Sequence, residues 1–425
     1  MSEAAHGPRR RTSILLRRTA FNLLRWGYRI AGRLSPRRAA ATAGRIAVVL
    51  PVSAGPLELG AARNRVAWYL GGIHPPTQPP VDMLIPEGLS DTMPVVPEWE
   101  QDHTAATPPV RTLSHGDHDP AVYDHLLLWR ARDVLSPRIW PHIARVRVIG
   151  PDFYSGVDSA AFQEVMAATV DRESYPGLLA RSRQNFQDLL SRHGGAETVY
   201  VLGTGPSVEE MRRHDPEGAP VVVCNSLVRD TGLLDHLRPA VVCFADEVFH
   251  FGPSRYAEAF RRDLLAVITR YDCHAVTRPW GAAMMLRHHP ELVDRLIALP
   301  DDARGWNVPS DQGFRVRATG NILTFYMLPL GAALGRRIRV GGSDGRRRGE
   351  TYFWRHGSSV QYEGLMETAF RTHPAFFRDR IYTDYYRRHL RLLGDQVAWL
   401  ERQEHPVESI TATHIPVLRQ RAVTL

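Results

Sequence analysis

Residues 198–207 read Thr198-Val-Tyr-Val-Leu-Gly-Thr-Gly-Pro-Ser207, and the reading of the whole chain turns on them. Val199, Tyr200, Val201 and Leu202 form a short apolar run of β-prone residues, the pattern of a buried strand. Gly203 and Gly205 then permit a sharp turn, and Pro206 suits the first position of a helix. Ser207 with Glu210 three residues on offers a second, competing helix start, a capping box. A strand, a glycine turn and a helix N-terminus present N–H groups and a helix dipole to an anion. Gly203, Thr204, Gly205, Pro206 and Ser207 are therefore candidate phosphate contacts, with a plain structural connection as the alternative. Val208 stands where the dinucleotide fingerprint needs its third glycine, so that fingerprint is excluded.

Downstream the same alternation recurs. Apolar runs at 221–224 and 240–244 end in Asn225 and Asp246, each of which reads equally well as a helix cap or turn residue. Thr319, Gly320 and Asn321 open an apolar helix over 322–334, and a strand at 338–340 enters a second glycine turn containing Gly342 and Asp344. Arg346, Arg347 and Arg348 follow, then Tyr352: cations and a hydroxyl beside a second turn. Short apolar strands alternating with helices predict an α/β fold, a Rossmann-like, mostly parallel sheet flanked by helices. Ligands of such a sheet sit beyond the C-terminal strand ends. The last part is rich in His and Tyr, including His373, Tyr382, Tyr385, Tyr386 and His389, with His389 heading a helix over 390–402 and a strand at 407–411.

Upstream, residues 1–11 are polar and basic, and 12–34 repeat arginine at helical spacing (Arg18, Arg25, Arg29, Arg33) among Leu16, Phe21, Trp26 and Ile30. That is a basic amphipathic helix suited to the surface of an anionic bilayer, or to packing on its own domain. A strand is expected at 45–51, and the proline-rich stretch 74–120 reads as long loops. Within it His115, Asp117, His118 and Asp119 resemble a metal cluster, but loop composition produces such strings and no metal ligand is assigned. Strands at 124–129 and 145–150 bracketing a helix predict a smaller, irregular α/β region, and a helix at 175–193 leads into the glycine-turn strand. The expected division is a basic tail and helix (1–40), an irregular α/β region (41–180) and the Rossmann-like unit (181–425).

A chain of 425 residues with 44% hydrophobic and 23% charged residues is of ordinary globular composition. Its formal net charge of +8 points to an anionic partner. The arginines are dispersed or clustered at one turn, and no base-reading motif accompanies them, which argues against nucleic acid. Cys224, Cys243 and Cys273 lack metal-ligand spacing and read as reduced core residues of a cytosolic protein. The longest apolar stretch, 322–335, is too short to span a bilayer and contains Pro329.

Taken together, Gly203-Thr-Gly-Pro-Ser207, Cys224-Asn225, Thr319-Gly320, Gly342-Ser-Asp344 and a late histidine heading a helix resemble the bacterial lipooligosaccharide sialyltransferases over residues 195–415. The turn motif is also similar to that of proteins resembling archaeal 6-hydroxymethylpterin pyrophosphokinase. The transferase resemblance implies a nucleotide-binding sheet, a CMP-activated acidic sugar as donor substrate, no required metal or other cofactor, and inversion at the anomeric carbon. It implies that Asn225 contacts the nucleotide, that Thr319 and Gly320 form the second phosphate-side turn, that Tyr352 stabilises the leaving phosphate, and that His389 is the general base, with His373 its rival. Thr204 replaces an expected asparagine, and Arg346 stands where a further tyrosine is expected. The implied protein is a cytoplasmic enzyme, peripheral on the inner face of the cell membrane, extending a cell-envelope glycan or lipid-linked acceptor. The alternative is a Mg-dependent pyrophosphokinase with Asp246 or Asp344 at the metal; a non-catalytic nucleotide-binding module is the third reading.

Overall fold

Two parallel sheets meet in a shared apolar cluster, and each has a second cluster on its other face. The computed structural model describes residues 45–71, 81–103, 110–116, 118–151, 166, 174–346, 359–379 and 381–424, with Thr12, Ser13, Leu16 and Thr19. The basic amphipathic segment at 12–34 otherwise lies outside the described residues, as does Tyr352. Among the described residues no helix is long and apolar enough to cross a membrane.

The first sheet comprises β1 (Ile46–Val49), β2 (Val81–Ile85), β3 (Val110–Ser114), β4 (His125–Leu128) and β5 (Val146–Val148), in the order β3-β2-β1-β4-β5 with every neighbouring pair parallel. Helix α1 (Pro56–Leu70) links β1 to β2, with Pro56 at its start and the Glu58 carboxylate accepting the Gly55 N–H. This sheet corrects the expectation of loops through 74–120, because β2 and β3 lie inside that stretch. Their signal was masked by charge. Asp82 is the second residue of β2, and its buried carboxylate accepts two bonds of 2.9 Å from Arg111 and one of 2.9 Å from the Tyr123 hydroxyl. Burial by itself raises that carboxyl, but the hydrogen bonds from Arg111 and Tyr123 and the guanidinium charges hold it below its ordinary value.

The second sheet is preceded by α2 (Ser174–His193) and has β6 (Ala196–Leu202) as its first strand in the chain. Then come β7 (Val221–Cys224), α3 (Thr231–Leu237), β8 (Val241–Cys243), α4 (Arg255–Tyr271), β9 (His274–Thr277), α5 (Pro279–His288) and β10 (Leu296–Ala298). A small parallel pair, β11 (Asp301–Asp302) and β12 (Val316–Arg317), precedes a π-helical turn at Leu323–Met327 that runs into α6 (Leu328–Leu334). Gly335 caps α6 and opens β13 (Gly335–Gly341). The chain continues through α7 (Met366–Thr372), α8 (Pro374–Asp379), α9 (Tyr382–Arg402), β14 (Val407–Ser409) and α10 (Pro416–Arg419). The strand order is β10-β9-β8-β7-β6-β13-β14, all parallel. The α/β, Rossmann-like expectation holds.

Side chains alternate across this sheet with the two-residue period of a strand. Val199, Val201, Val222 and Val241 face the layer of α2, α6 and α9, while Tyr200, Leu202, Val221, Val223 and Val242 face the other way. That other layer is continuous with α1 and with Val48, Met83 and Leu127 of the first sheet. The junction carries buried polar groups as well. Arg65 of α1 donates to the carbonyls of Ile149 (3.2 Å) and Thr372 (2.8 Å) and pairs with Glu100 (3.3 Å), and Trp68 Nε1 donates to the Phe251 carbonyl at 2.7 Å. The three cysteines are free and buried.

Candidate functional site

The strand order of the second sheet reverses at β6: β7 leaves on one side and β13 on the other. At such a switch point the loops beyond the C-terminal strand ends diverge and leave a crevice. A small, partly open pocket with a cavity volume of about 30 Å³ lies there. Its walls come from Gly203 and Thr204 after β6, Cys224 and Asn225 at the end of β7, Asn321, Ile322, Leu323 and Met327 around the π-helical turn, Gly342 to Gly345 after β13, Ile415, and His389 of α9.

The two glycine turns are locked together. Gly203 N–H donates to Gly341 O (2.9 Å) and Gly205 N–H to Gly342 O (2.8 Å), an approach that leaves no room for side chains. A Cβ on Gly203 would lie 2.6 Å from Gly342 O, and one on Gly205 would lie 2.0 Å from an Asp344 carboxylate oxygen. That carboxylate accepts the Ser207 N–H (3.1 Å) and the Ser207 hydroxyl (2.8 Å). With its proton so engaged, Ser207 Oγ accepts from the Thr411 hydroxyl (2.8 Å), and Thr411 Oγ1 accepts the Gly342 N–H at 3.0 Å. The result is a polarised chain from Gly342 through Thr411 and Ser207 to Asp344. Burial raises the Asp344 carboxyl against the lowering effect of the Ser207 bonds.

This geometry corrects two expectations about the turn. The helix after it is a 3₁₀ helix, Pro206–Arg213, with Gly205 as its cap and no capping box, because Asp344, 137 residues away in sequence, captures Ser207. For the same reason the Ser207 N–H is not open to a phosphate. Asp344 holds the place an anion would take.

Asn225 has φ of 49°, an unusual conformation for a residue with a Cβ, and its buried Oδ1 has no hydrogen-bond partner among the described residues. Such strained positions concentrate at functional sites. Asn321 is a cap, its Oδ1 accepting Leu323 N–H at 2.9 Å, and it still borders the pocket. The π-helical turn that forms the adjacent wall is a rare conformation often found at such places. It leaves backbone carbonyls without a helical partner, and Gln396 of α9 donates to the Thr324 carbonyl at 3.0 Å. Gln396 lies two turns beyond His389, so this bond sets α9 against the π-helical wall.

His389 is buried, and burial pushes its imidazole down to about 4. It does not head a helix as expected; α9 begins seven residues earlier at Tyr382. Tyrosine and threonine are weak helix formers, and here tertiary packing overrides that. Tyr385 packs against Gly320, where a Cβ would come within 2.9 Å of the ring. Tyr386 accepts the Arg346 N–H at 3.0 Å, and Arg346 Nη1 reaches the Thr383 hydroxyl at 3.3 Å.

Of the predicted site residues, Gly203, Thr204, Asn225, Asn321, Gly342, Asp344 and His389 border one pocket. Gly205, Pro206 and Ser207 lie in its supporting turn, Arg346 adjoins its Gly345 edge, and Thr319 and Gly320 stand behind it, with Thr319 accepting from the Thr324 hydroxyl at 3.0 Å. The structure does not bring Asp246 there: its Oδ1 accepts Val248 N–H (2.9 Å) and Phe249 N–H (3.2 Å), the turn role that was the alternative. His373 lies elsewhere too, buried against Gly252. Among the described residues no three His, Cys, Asp or Glu gather to hold a metal ion. His115 bonds Leu84 O (2.9 Å), Asp119 caps the turn at Ala121 (2.9 Å), and Asp117 lies outside the described residues. Sequence reasoning missed Leu323, Met327, Thr411 and Ile415, which carry no local motif. Only the break in helical geometry at 323–327 marks the first two, and sequence does not report it.

No family model, curated protein or solved structure matches the chain. The functional reading therefore rests on the pocket itself and on the motifs that line it.

Proposed function

We propose that the protein is a glycosyltransferase that moves a sugar, of the acidic sialic-acid-like kind, from a CMP-activated donor to a cell-envelope glycan or lipid-linked acceptor with inversion. One observation carries the reading: Thr204, Asn225, Asn321, Asp344 and His389, drawn from five separate stretches of chain, border a single pocket at the switch point of a parallel sheet. Asn225, whose Oδ1 has no partner among the described residues, offers an acceptor to an amino group of the base. Arg346, beside Gly345, supplies a cation on the side where the phosphate leaves.

In the reaction the bond between the anomeric carbon and the phosphate oxygen breaks, and the acceptor oxygen bonds to that carbon from the opposite face. The acceptor proton passes to His389, which is neutral at working pH and thus able to take it. CMP departs with the electron pair. A phosphate in the pocket brings negative charge toward the imidazole and raises its affinity for that proton. The pyrophosphokinase reading is less well supported, because Asp246 is turned onto its own backbone and Asp344 is bound by Ser207. The reading keeps the enzyme at the inner face of the cell membrane, held through the basic segment at 12–34.

Thermal melts with CMP, UDP, GDP and ATP, each with and without Mg²⁺, test this. CMP alone should raise the melting temperature, by the equivalent of about 2.7 kcal/mol at a hundredfold excess over Kd. Stabilisation by ATP with Mg²⁺ only would refute it. A His389→Ala protein should keep CMP binding and lose transfer from CMP-sugars.

A further inference from the structure

His373 is 6% exposed, and among the described residues neither of its ring nitrogens has a hydrogen-bond partner. Buried polar groups are ordinarily paired, so a side chain with both polar atoms orphaned calls for a reason. The ring sits at the junction of the two units, at the end of α7. Its Nε2 would lie 2.8 Å from a Cβ on Gly252, in the loop after β8, so the imidazole fills the space that this glycine leaves. One residue earlier, the Thr372 carbonyl accepts from the buried guanidinium of Arg65, on α1, at 2.8 Å. Burial holds the imidazole well below its ordinary value, and the Arg65 charge adds to that.

The charged and titratable groups on the surrounding elements are engaged elsewhere. Glu100, in the loop after β2, accepts from Arg65 on Oε1 (3.3 Å) and from Asn64 on Oε2 (2.9 Å), and burial raises its carboxyl. His103 of the same loop is stacked on Trp68 of α1. On α4, Arg261 donates to the His250 and Gly252 carbonyls (3.0 Å each), while Arg255 and Glu258 border an open polar pocket with Glu100. Glu367 and Arg371 of α7 pair at 3.1 Å at exposed positions, and Arg378 of α8 is half-buried. A proton on His373 would therefore add a second cation beside Arg65 with no carboxylate bonded to the ring.

The segment that carries His373 can respond as a unit. Helices α7 and α8 have seven and six residues, too few to persist without tertiary packing. Phe376 and Phe377 of α8 meet Phe249 edge-on, with centroids 5.9 and 5.8 Å away, and Ile381 beyond α8 packs on the first sheet. At the next residue begins α9, the helix that brings His389 to the pocket.

We propose that His373 is a proton-operated latch between the two units: the closed junction admits only the neutral ring beside Arg65, and a proton taken up from solvent holds residues 366–379 in an open state detached from α1 and the β8 loop. With the open ring titrating near the free value of about 6.5, the open-to-closed ratio rises by about 25-fold from pH 7 to pH 5. The inference is independent of the reaction proposed above, because it is read on the segment itself.

The test is hydrogen exchange of the full chain at pH 7 and pH 5, corrected for the intrinsic pH dependence of exchange, in the wild type and in His373→Leu. Protection of 366–379 should fall between the two pH values by about 25-fold more in the wild type than in the variant, in which Glu100 and the other histidines titrate as before. At pH 5 that segment should also be at least about tenfold less protected than β6, β7 and β8, the mark of local opening. Should leucine prevent folding, His373→Gln keeps a polar side chain that does not titrate, and the same comparison decides. An equal fall in wild type and variant would overturn the proposal, since the proton would then bind elsewhere. Equal protection of 366–379 and the three strands at pH 5 would overturn it too, because the segment would then open only with the whole protein.

Discussion

Replacing Gly205 by alanine tests whether the two glycine turns are locked as described. The added Cβ would stand 2.0 Å from Asp344 Oδ2 and 2.8 Å from Gly342 O, about 1.4 Å and 0.6 Å short of ordinary contact. Gly342 O is backbone within the paired turns and accepts the Gly205 N–H, so the carboxylate must move first. Moving it that far breaks the 2.8 Å and 3.1 Å bonds from Ser207, each a bond to a charged acceptor in a buried setting. At about 1.5–3 kcal/mol apiece, with partial relaxation recovering some of that, the loss should be about 3–5 kcal/mol. The comparison variant is Gly394→Ala. Gly394 is inside α9 with nothing near its missing Cβ, and alanine there should gain about 0.5–1 kcal/mol from helix propensity. Urea unfolding midpoints of the two variants should therefore move in opposite directions. Near-equal midpoints would refute the lock, and with it the claim that Asp344 occupies the anion position of the turn.

Two further outcomes follow from buried charge. The imidazoles of His389, His274 and His288 are pushed down by burial to about 4, and that of His250 to about 3. Above the unfolded value near 6.5 they are neutral in both states and the stability is whole. As pH falls from about 6.5 toward 4, the unfolded chain takes up protons that the folded chain refuses, and stability should fall by about 1.4 kcal/mol per pH unit per histidine. Urea midpoints unchanged between about pH 7 and pH 5 would contradict that sign. Arg65→Met strips Glu100 of its cation and the Ile149 and Thr372 carbonyls of a donor, and should cost about 3–5 kcal/mol in denaturant unfolding. Adding Glu100→Gln should recover part of the loss; no recovery would mean that the pair is not what the arginine serves.

Much of the second unit was legible because its information is local. The strands at β6, β7 and β8 announce themselves as apolar β-branched runs, and Gly203, Gly205, Asn225 and Asp344 stand at strand ends where the chain must turn. The first unit was far less legible. Asp82 and Arg111 make β2 and β3 look like solvent-exposed chain, and it is the bonds from Arg111 and the Tyr123 hydroxyl that let β2 be buried with its charge.

By itself, then, the sequence determined the α/β class, the glycine turns, the buried cysteines and half of the residues that border the pocket. These depend on side-chain period and turn chemistry within a few residues. The tertiary structure alone decided which candidates meet. It joined Ser207 to Asp344 and Thr411, turned Asp246 onto its own backbone, separated His373 from the pocket, and set His389 inside a longer helix facing a π-helical wall. Each of those outcomes depends on a partner far away in sequence: a buried polar group takes whichever donor or acceptor the fold brings near it, and no window of neighbouring residues contains that information.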